Sequence, residues 1–313
     1  MKRLILGLAA SLCAGVLAGA QAPTPYKLGT FELTGRVFVG IVLRESVVID
    51  FAAAHAAIRT PASDVAPPAD MKDLIVRYDA GLRARTAEIV RSVDTAGAAR
   101  PGYAYDLRAV KILPPIVYPT TMLNVAVNYT EHDREMSQLR NQVTGQGTPT
   151  LGGALPGTRS APGIWERTAG DARWNPYLFM KSPAAVIADG EAIRLPPGRT
   201  QVDWECELGV VIGRQATRVP VAQSAAYIFG YTIENDVSDR GGRGDTRYGS
   251  DWVISKNHDT FAPLGPFITP REFVADPQKL AIRFVLNGQV MQEANTSLMI
   301  TTCSSRSPMP RTS

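Results

Sequence analysis

Glu205 and Glu207 stand two apart in Trp204-Glu205-Cys206-Glu207-Leu208, at the head of an apolar run, Leu208 to Gly213, that reads as a strand. A strand's period of two places both carboxylates on one face and Cys206 on the other. Two like charges on one face repel unless a cation sits between them. Hard carboxylate oxygens of this kind suit Mg²⁺ or Mn²⁺, with Ca²⁺ as a further option, in preference to Zn²⁺. The alternative is an exposed strand edge whose charges block aggregation. Asp236 follows the next apolar strand, in Gly230-Tyr231-Thr232-Ile233-Glu234-Asn235-Asp236. An adjacent strand would bring it beside the pair, and three carboxylates hold one octahedral cation with positions left for water and substrate. A turn-capping acid is the other reading of Asp236.

His132 and Glu135 are three apart, so on a short helix they would share a face. A carboxylate beside an imidazole orients it and raises its basicity, which makes a general base for water. A solvated helix with a chance His–Glu pair is the alternative. Only His55, His132 and His258 exist, so a general-base histidine has few candidates. Lys256, approached through Trp252-Val253-Ile254-Ser255, is expected to be partly buried and in need of a carboxylate partner. Arg240 could grip a substrate carboxylate with both arms of its guanidinium. For each of these cations the other reading is a surface charge.

These side chains need a scaffold. From Tyr26 to Phe51 the alternation of Phe31 and Leu33, then Val37, Val39, Ile41 and Leu43, then Val47 to Ile49, predicts short strands. From Asp70 to Val93 apolar residues recur at helical spacing, with Asp70 as cap and Gly97 past the end. Residues 21–112 are thus expected to form a small N-terminal β/α module, closed by Leu113-Pro114-Pro115. A strand over Met122 to Val127 follows. Residues 142–176, rich in Gly, Pro, Thr and Ser and carrying Trp165 and Trp174, read as a lid over a site or as a surface insert. Further strands are expected at 208–213, at 228–234, and in a hairpin turning at Asn287-Gly288. The fold class is α+β and β-rich, a mixed roll or sandwich.

Composition is that of a globular protein, with 45% hydrophobic and 20% charged residues. Lys2 and Arg3, an apolar stretch from Leu4 to Leu17, and Ala18-Gly19-Ala20 form the pattern of a secretory signal peptide over residues 1–20. A retained anchor is the alternative; Leu12 before Cys13 argues against a lipoprotein. Export to the periplasm or beyond is the expectation, with no membrane attachment of the mature chain. Losing Lys2 and Arg3 from 33 basic residues leaves 31 against 29 acidic ones, too even a balance for nucleic acid. Cys206 and Cys303 are far apart in sequence, and no disulfide is expected between them.

The motifs also fall in a recognisable order. Asn128-Tyr129 precedes His132 and Glu135; Phe179-x-Lys181-Ser182-Pro183, Trp204-Glu205-x-Glu207-Leu208 and Asn235-Asp236-Val237-Ser238-x-Arg240 follow. Next come Ser255-Lys256, Asp259-Thr260-Phe261, Pro263-Leu264-Gly265-Pro266, and Asn287-Gly288 with Gln292 and Asn295-Thr296-Ser297. This order over residues 115–300 resembles the fumarylacetoacetate hydrolase family. The resemblance implies a mixed β-roll fold, a homodimer, and Mg²⁺ or Mn²⁺ held by Glu205, Glu207 and Asp236. It implies a general-base pair in His132 and Glu135, a catalytic lysine in Lys256, and substrate contacts from Tyr129 and Arg240. The expected reaction is metal-assisted hydrolysis of a C–C bond in a small oxo acid or diketone. A lyase, decarboxylase or hydratase running through the same enolate, or a non-catalytic remnant, stands as the alternative.

Two departures bear on this. Many members carry a glutamine soon after the arginine matching Arg240, where this chain reads Gly241-Gly242-Arg243-Gly244-Asp245. Members also continue beyond Met299-Ile300 with further strands, whereas residues 301–313 turn abruptly to Ser and Pro. That tail admits a codon assignment which, read in the neighbouring frame, encodes an amphipathic segment. It is therefore expected to be a frameshift product, the domain over 113–300 to be incomplete, and the chain to be poorly soluble with weak activity.

Overall fold

The computed structural model describes residues 23–60, 64–95, 100–131, 178–241 and 251–302. Its first half is built on five antiparallel strands: β1 (Lys27–Leu33), β2 (Arg36–Leu43), β3 (Val47–Asp50), β4 (Ala104–Asp106) and β5 (Lys111–Leu113), in the order β4-β3-β2-β1-β5. Thr34 and Gly35, both at positive φ, make the two-residue turn that pairs Leu33 with Arg36. Phe31 is fully buried, and its ring lies over Gly40. A Cβ at Gly40 would stand 2.5 Å from that ring, so only glycine lets the strand pass.

Three helices cover this sheet. The carboxylate of Asp50 accepts from the N–H of Ala53 at 3.1 Å and so caps α1 (Phe51–Ala57), a helix the sequence reading assigned to no element. Asp70 caps α2 (Met71–Arg77) as expected. The single helix expected over 70–93 is broken, however. Ala80 and Gly81 leave helical geometry, Gly81 at φ 117°, before α3 (Arg83–Thr95) resumes. Tyr78 and Leu82 on either side of the break bury into the same core, which is why the apolar spacing ran on across it.

Arg85, wholly buried on α3, ties the helices together. It donates from Nε to His55 Nδ1 at 3.2 Å and from Nη2 to the carbonyl of His55 at 3.1 Å, and it pairs with Glu88 at 2.7 Å. His55 must be neutral to accept that bond, and burial, with Arg85 and Arg59 adding to it, lowers its pKa. A histidine depressed in the folded state takes up its proton first in the unfolded chain. Stability is therefore expected to fall as pH drops below about 6.5. Denaturant titrations at pH 5 and pH 7 check this: the difference between them should shrink in His55→Gln, which cannot charge.

The second half begins with the pair β6 (Met122–Val125) and β7 (Leu178–Lys181). The short strands β8 (Val186–Ile187) and β9 (Val202–Asp203) come next, followed by β10 (Cys206–Ile212) and β11 (Ile228–Asn235). Then follow β12 (Ser238–Asp239), α4 (Trp252–Lys256), β13 (Ala262–Pro263), β14 (Thr269–Pro270), and the hairpin β15 (Ala281–Leu286) and β16 (Gln289–Asn295), turning at Asn287-Gly288 as the sequence implied. Strands β10, β11 and β14 form a three-stranded sheet, β12 pairs with β9, and β13 runs parallel to β8.

The halves share a core. Val211, Phe229 and Ile268 pack with Leu28, Ile41 and Leu74, and Leu28 and Ile268 exchange backbone hydrogen bonds of 2.9 and 2.8 Å. The prolines after Leu113 thus mark a turn of the chain over a continuous core, and Thr30 Oγ1 bonds the carbonyl of Pro115 at 2.8 Å. Among the described residues no helix is long and apolar enough to cross a membrane.

Candidate metal centre and active site

The register of β10 against β11 builds the site. Cys206 lies opposite Asn235 and Glu207 opposite Glu234, and the N–H of Asp236 bonds the carbonyl of Glu205 at 2.8 Å. By the alternation of an antiparallel ladder, Glu205, Glu207, Glu234 and Asp236 all emerge on one face. Side chains from the motifs hold this ladder in place. The amide of Gln292 bonds both the N–H and the carbonyl of Cys206 at 2.8 Å, fastening β10 to the final hairpin. Asn235 Oδ1 accepts from the N–H of Glu205 at 3.1 Å. Trp204 stacks on Phe284 with centroids 5.5 Å apart.

Three cations face the acids. Lys256, at the end of α4 and 2% exposed, donates to Glu205 Oε2 at 2.7 Å and to Asp236 Oδ2 at 2.5 Å, over the ring of Phe179. Asp251 caps that short helix by accepting from the N–H of Ile254 at 3.0 Å. Arg240 bonds Asp203 through Nε at 3.0 Å and Nη2 at 2.7 Å, and also reaches Glu205. Lys181, at the end of β7 and wholly buried, lies 2.8 Å from Asp236 Oδ1.

The acids are unequal. Burial alone would raise the Glu205 carboxyl, but Lys256 and Arg240 outweigh it and hold it at about 2. Burial pushes Glu207 well above the usual carboxylate range, and its like-charged neighbours Glu205, Asp236 and Glu234 add to this. Glu234 rises to about 7 through burial and the nearness of Asp236, against the pull of Lys181 and of Asn124. Asp236 is raised by burial, with Lys181 and Lys256 opposing. Among the described residues no donor reaches the buried Oε1 of Glu234, while Oε2 accepts from Asn124 Nδ2 at 3.2 Å. Glu207 and Glu234 line a cavity of about 680 Å³ between β6 and β10, together with Asn124, Asn128 and Met299.

This all-oxygen donor set, with more negative charge than the local lysines neutralise, fits a hard divalent cation. Among the described residues no three acids are gathered around one point as ligands. The Lys256 ammonium stands between Glu205 and Asp236, and Glu207 faces the cavity.

The remaining expected site residues are placed as follows. Arg240, expected to contact a substrate carboxylate, bonds Asp203, which the pairing of β12 with β9 sets beside it, and reaches Glu205. Tyr129 is half-buried and its backbone bridges to Met299. His132, Glu135 and the 142–176 segment lie outside the described residues. Residues 1–22 and the tail from Cys303 also lie outside them; Thr301 is described and held, its N–H bonding Asn128 Oδ1 at 2.7 Å. Cys206 is a free, buried thiol.

Two members of the cluster were not read as site residues. Glu234 repeats, with Asp236, the same two-residue spacing that singled out Glu205 and Glu207. Lys181 carried no signal beyond its place in a motif. Like charges directly opposite across a ladder destabilise it. Glu234, raised to about 7, charges only as pH rises through that value, so Glu234→Gln is expected to stabilise the metal-free chain above it by about 0.5–1 kcal/mol in denaturant unfolding.

The fold is β-rich and α+β, with four carboxylates on one face of a ladder, two of them lining a cavity and two paired with buried lysines. Residues 121–305 match the family profile described as fumarylacetoacetate (FAA) hydrolase C-terminal, and the chain belongs to that family, whose members are enzymes. It is 37% identical over 126 residues to a mitochondrial oxaloacetate tautomerase of Rattus norvegicus, 40% of each chain. The chain spans 40 to 64% of the length of the curated relatives compared. The fold is similar to that of 2-hydroxyhepta-2,4-diene-1,7-dioate isomerase from Mycobacterium marinum, at 25% identity and TM-score 0.55, covering 89% of this chain and 79% of that one. It is also similar to maleylpyruvate hydrolase from Sphingobium sp. SYK-6, whose structure holds manganese(II) and pyruvate. There the identity is 22% and the TM-score 0.58, covering 89% and 80%.

Proposed function

We propose that this chain is a divalent-cation-dependent enzyme that enolises a small 2-oxo acid and, in its hydrolytic form, cleaves a C–C bond next to the enolate. The observation that carries the reading is the ladder pairing of Glu205, Glu207 and Asp236 on one face, with Lys256 against two of them. Mg²⁺ or Mn²⁺ would be held by Glu205, Glu207 and Asp236, and when bound would polarise a substrate carbonyl. The manganese in the maleylpyruvate hydrolase supports the metal class.

The chain's own groups supply the rest. Lys256, held against Glu205 and Asp236, would add positive charge beside the enolate oxygen of a substrate presented by the cation. Arg240 fixes the Glu205 carboxylate in orientation from the other side. His132, oriented by Glu135, takes a proton from water, whose oxygen adds to the carbonyl. The C–C bond then breaks, its electron pair passes into the enolate, and the enolate carbon is reprotonated. Tyr129 and the walls of the cavity receive the substrate, and the 142–176 segment excludes water.

Tautomerisation of oxaloacetate is the second reading. It needs the same cation and lysine but no attacking water, and the rat relative bears that activity in its name. Export by residues 1–20 and assembly into a homodimer are part of the same proposal.

Oxaloacetate and a series of acylpyruvates, each offered with Mg²⁺, Mn²⁺ or Ca²⁺ and with a chelator control, test it. Chelator-sensitive loss of acylpyruvate with release of pyruvate supports hydrolysis. Chelator-sensitive keto–enol exchange of oxaloacetate alone supports the tautomerase. Cation binding with no turnover of any of them counts against both.

A further inference from the structure

Asp236 is gripped at both oxygens, and the two grips differ in kind. Lys181 forms an ion pair with Oδ1 at 2.8 Å. Its ammonium also donates to the carbonyls of Phe261 at 2.7 Å and Val237 at 3.1 Å. Two of the three donors of this lysine go to fixed backbone carbonyls, and its charge lies against Oδ1. The side chain is wholly buried, anchored at the end of β7 by the pairing of Lys181 with Met122. Lys256 holds Oδ2 differently, because its other side-chain partner is Glu205, itself one of the proposed cation ligands. A cation arriving among the acids would replace Lys256 at Oδ2, whereas nothing about its arrival frees Lys181 from two backbone carbonyls.

We infer that Lys181 is a positioning residue that makes Asp236 a one-oxygen ligand. With Oδ1 covered, Asp236 would offer only Oδ2. A site restricted to single oxygens favours a small cation with octahedral demands, Mg²⁺ or Mn²⁺. Ca²⁺ takes six to eight ligands and gains from two-oxygen carboxylate binding. Lys181 thereby sets which divalent cation the site prefers, without touching cation or substrate. The inference rests on the proposed cation site, and the test keeps the two separable.

Calorimetric titration of Mn²⁺, Mg²⁺ and Ca²⁺ into the parent chain, Lys181→Met, Lys181→Arg and Asp236→Asn provides that test. In the parent chain Mn²⁺ and Mg²⁺ are expected to bind more tightly than Ca²⁺, and Asp236→Asn should lose binding of all three. Lys181→Met is expected to reduce the preference for Mn²⁺ over Ca²⁺ by roughly ten- to a hundredfold, the range usual for partners that orient a metal ligand. Lys181→Arg, which keeps the charge, should retain most of the preference. A merely structural lysine would lower the melting temperature and leave the ratio of the two affinities unchanged, and that result overturns the inference. Recovery of both Lys181 variants only as unfolded chain overturns it as well. A parent chain that binds none of the cations removes the proposed site itself.

Discussion

Lys256→Met is expected to bind Mn²⁺ more tightly than the parent chain while turning substrate over roughly 10²- to 10³-fold more slowly. The two effects share one cause. In the metal-free chain the ammonium satisfies Glu205 at 2.7 Å and Asp236 at 2.5 Å, so an incoming cation must compete with it. Removing it leaves two buried carboxylates facing each other, which should destabilise the metal-free fold by about 3 kcal/mol or more. Saturating Mn²⁺ is expected to restore most of that loss, so the thermal shift on adding metal should be larger in the variant than in the parent. The rate falls because the ammonium no longer faces the charge that develops on the enolate oxygen. Thermal shift with and without Mn²⁺, run beside an acylpyruvate assay, reads both arms. A variant with weaker metal binding and normal turnover would make Lys256 a structural cation.

Asp236→Asn should be more damaging to chemistry and gentler on the fold. The amide fills the same volume and keeps one oxygen for Lys256; its NH2 then faces Lys181, which still holds two backbone carbonyls, and the ladder between Glu205 and Asp236, which uses backbone atoms, is preserved. A cation would lose its charged third ligand, and Lewis-acid assistance worth several kcal/mol would go with it. Turnover is expected to drop by at least about 10³-fold, with no recovery on raising Mn²⁺ into the range that saturates the parent chain. Circular dichroism that superimposes on the parent would show that the loss is chemical. Recovery of full activity at high Mn²⁺ would mean that Asp236 only tunes affinity.

Much of this site is legible in the sequence. The two-residue spacing of Glu205 and Glu207 sufficed to put them on one face, and an apolar strand ending at Asp236 sufficed to bring a third acid alongside. Glu234 obeys the same periodicity as Asp236, but within an apolar run a single acid reads equally well as a solvent-facing strand position, and only its place opposite Glu207 makes it a member of the cluster. Lys181 could not be found by pattern. What makes it matter is a contact between the end of β7 and a turn after β11, 55 residues apart, and local sequence carries no trace of such a meeting.

The elements show the same division. Strands with clean alternation, and the Asn287-Gly288 turn, were legible because each is decided locally. The break at Gly81 was hidden because Tyr78 and Leu82 keep facing one core across it. The partners of Arg240 were hidden for a tertiary reason: the pairing of β12 with β9 delivers Asp203 to its guanidinium.

The central claim is that Glu205, Glu207 and Asp236 together hold a divalent cation on which an oxo acid is presented. Electron paramagnetic resonance of Mn²⁺ tests it most directly, with the parent chain compared against Glu207→Gln and with oxalate as a stable mimic of an enolised oxo acid. The free Mn²⁺ signal should disappear stoichiometrically into the parent chain, and oxalate should alter the bound spectrum. Glu207→Gln should leave most of the manganese free. Manganese that binds equally well to both chains, with a bound spectrum indifferent to oxalate, would contradict the account.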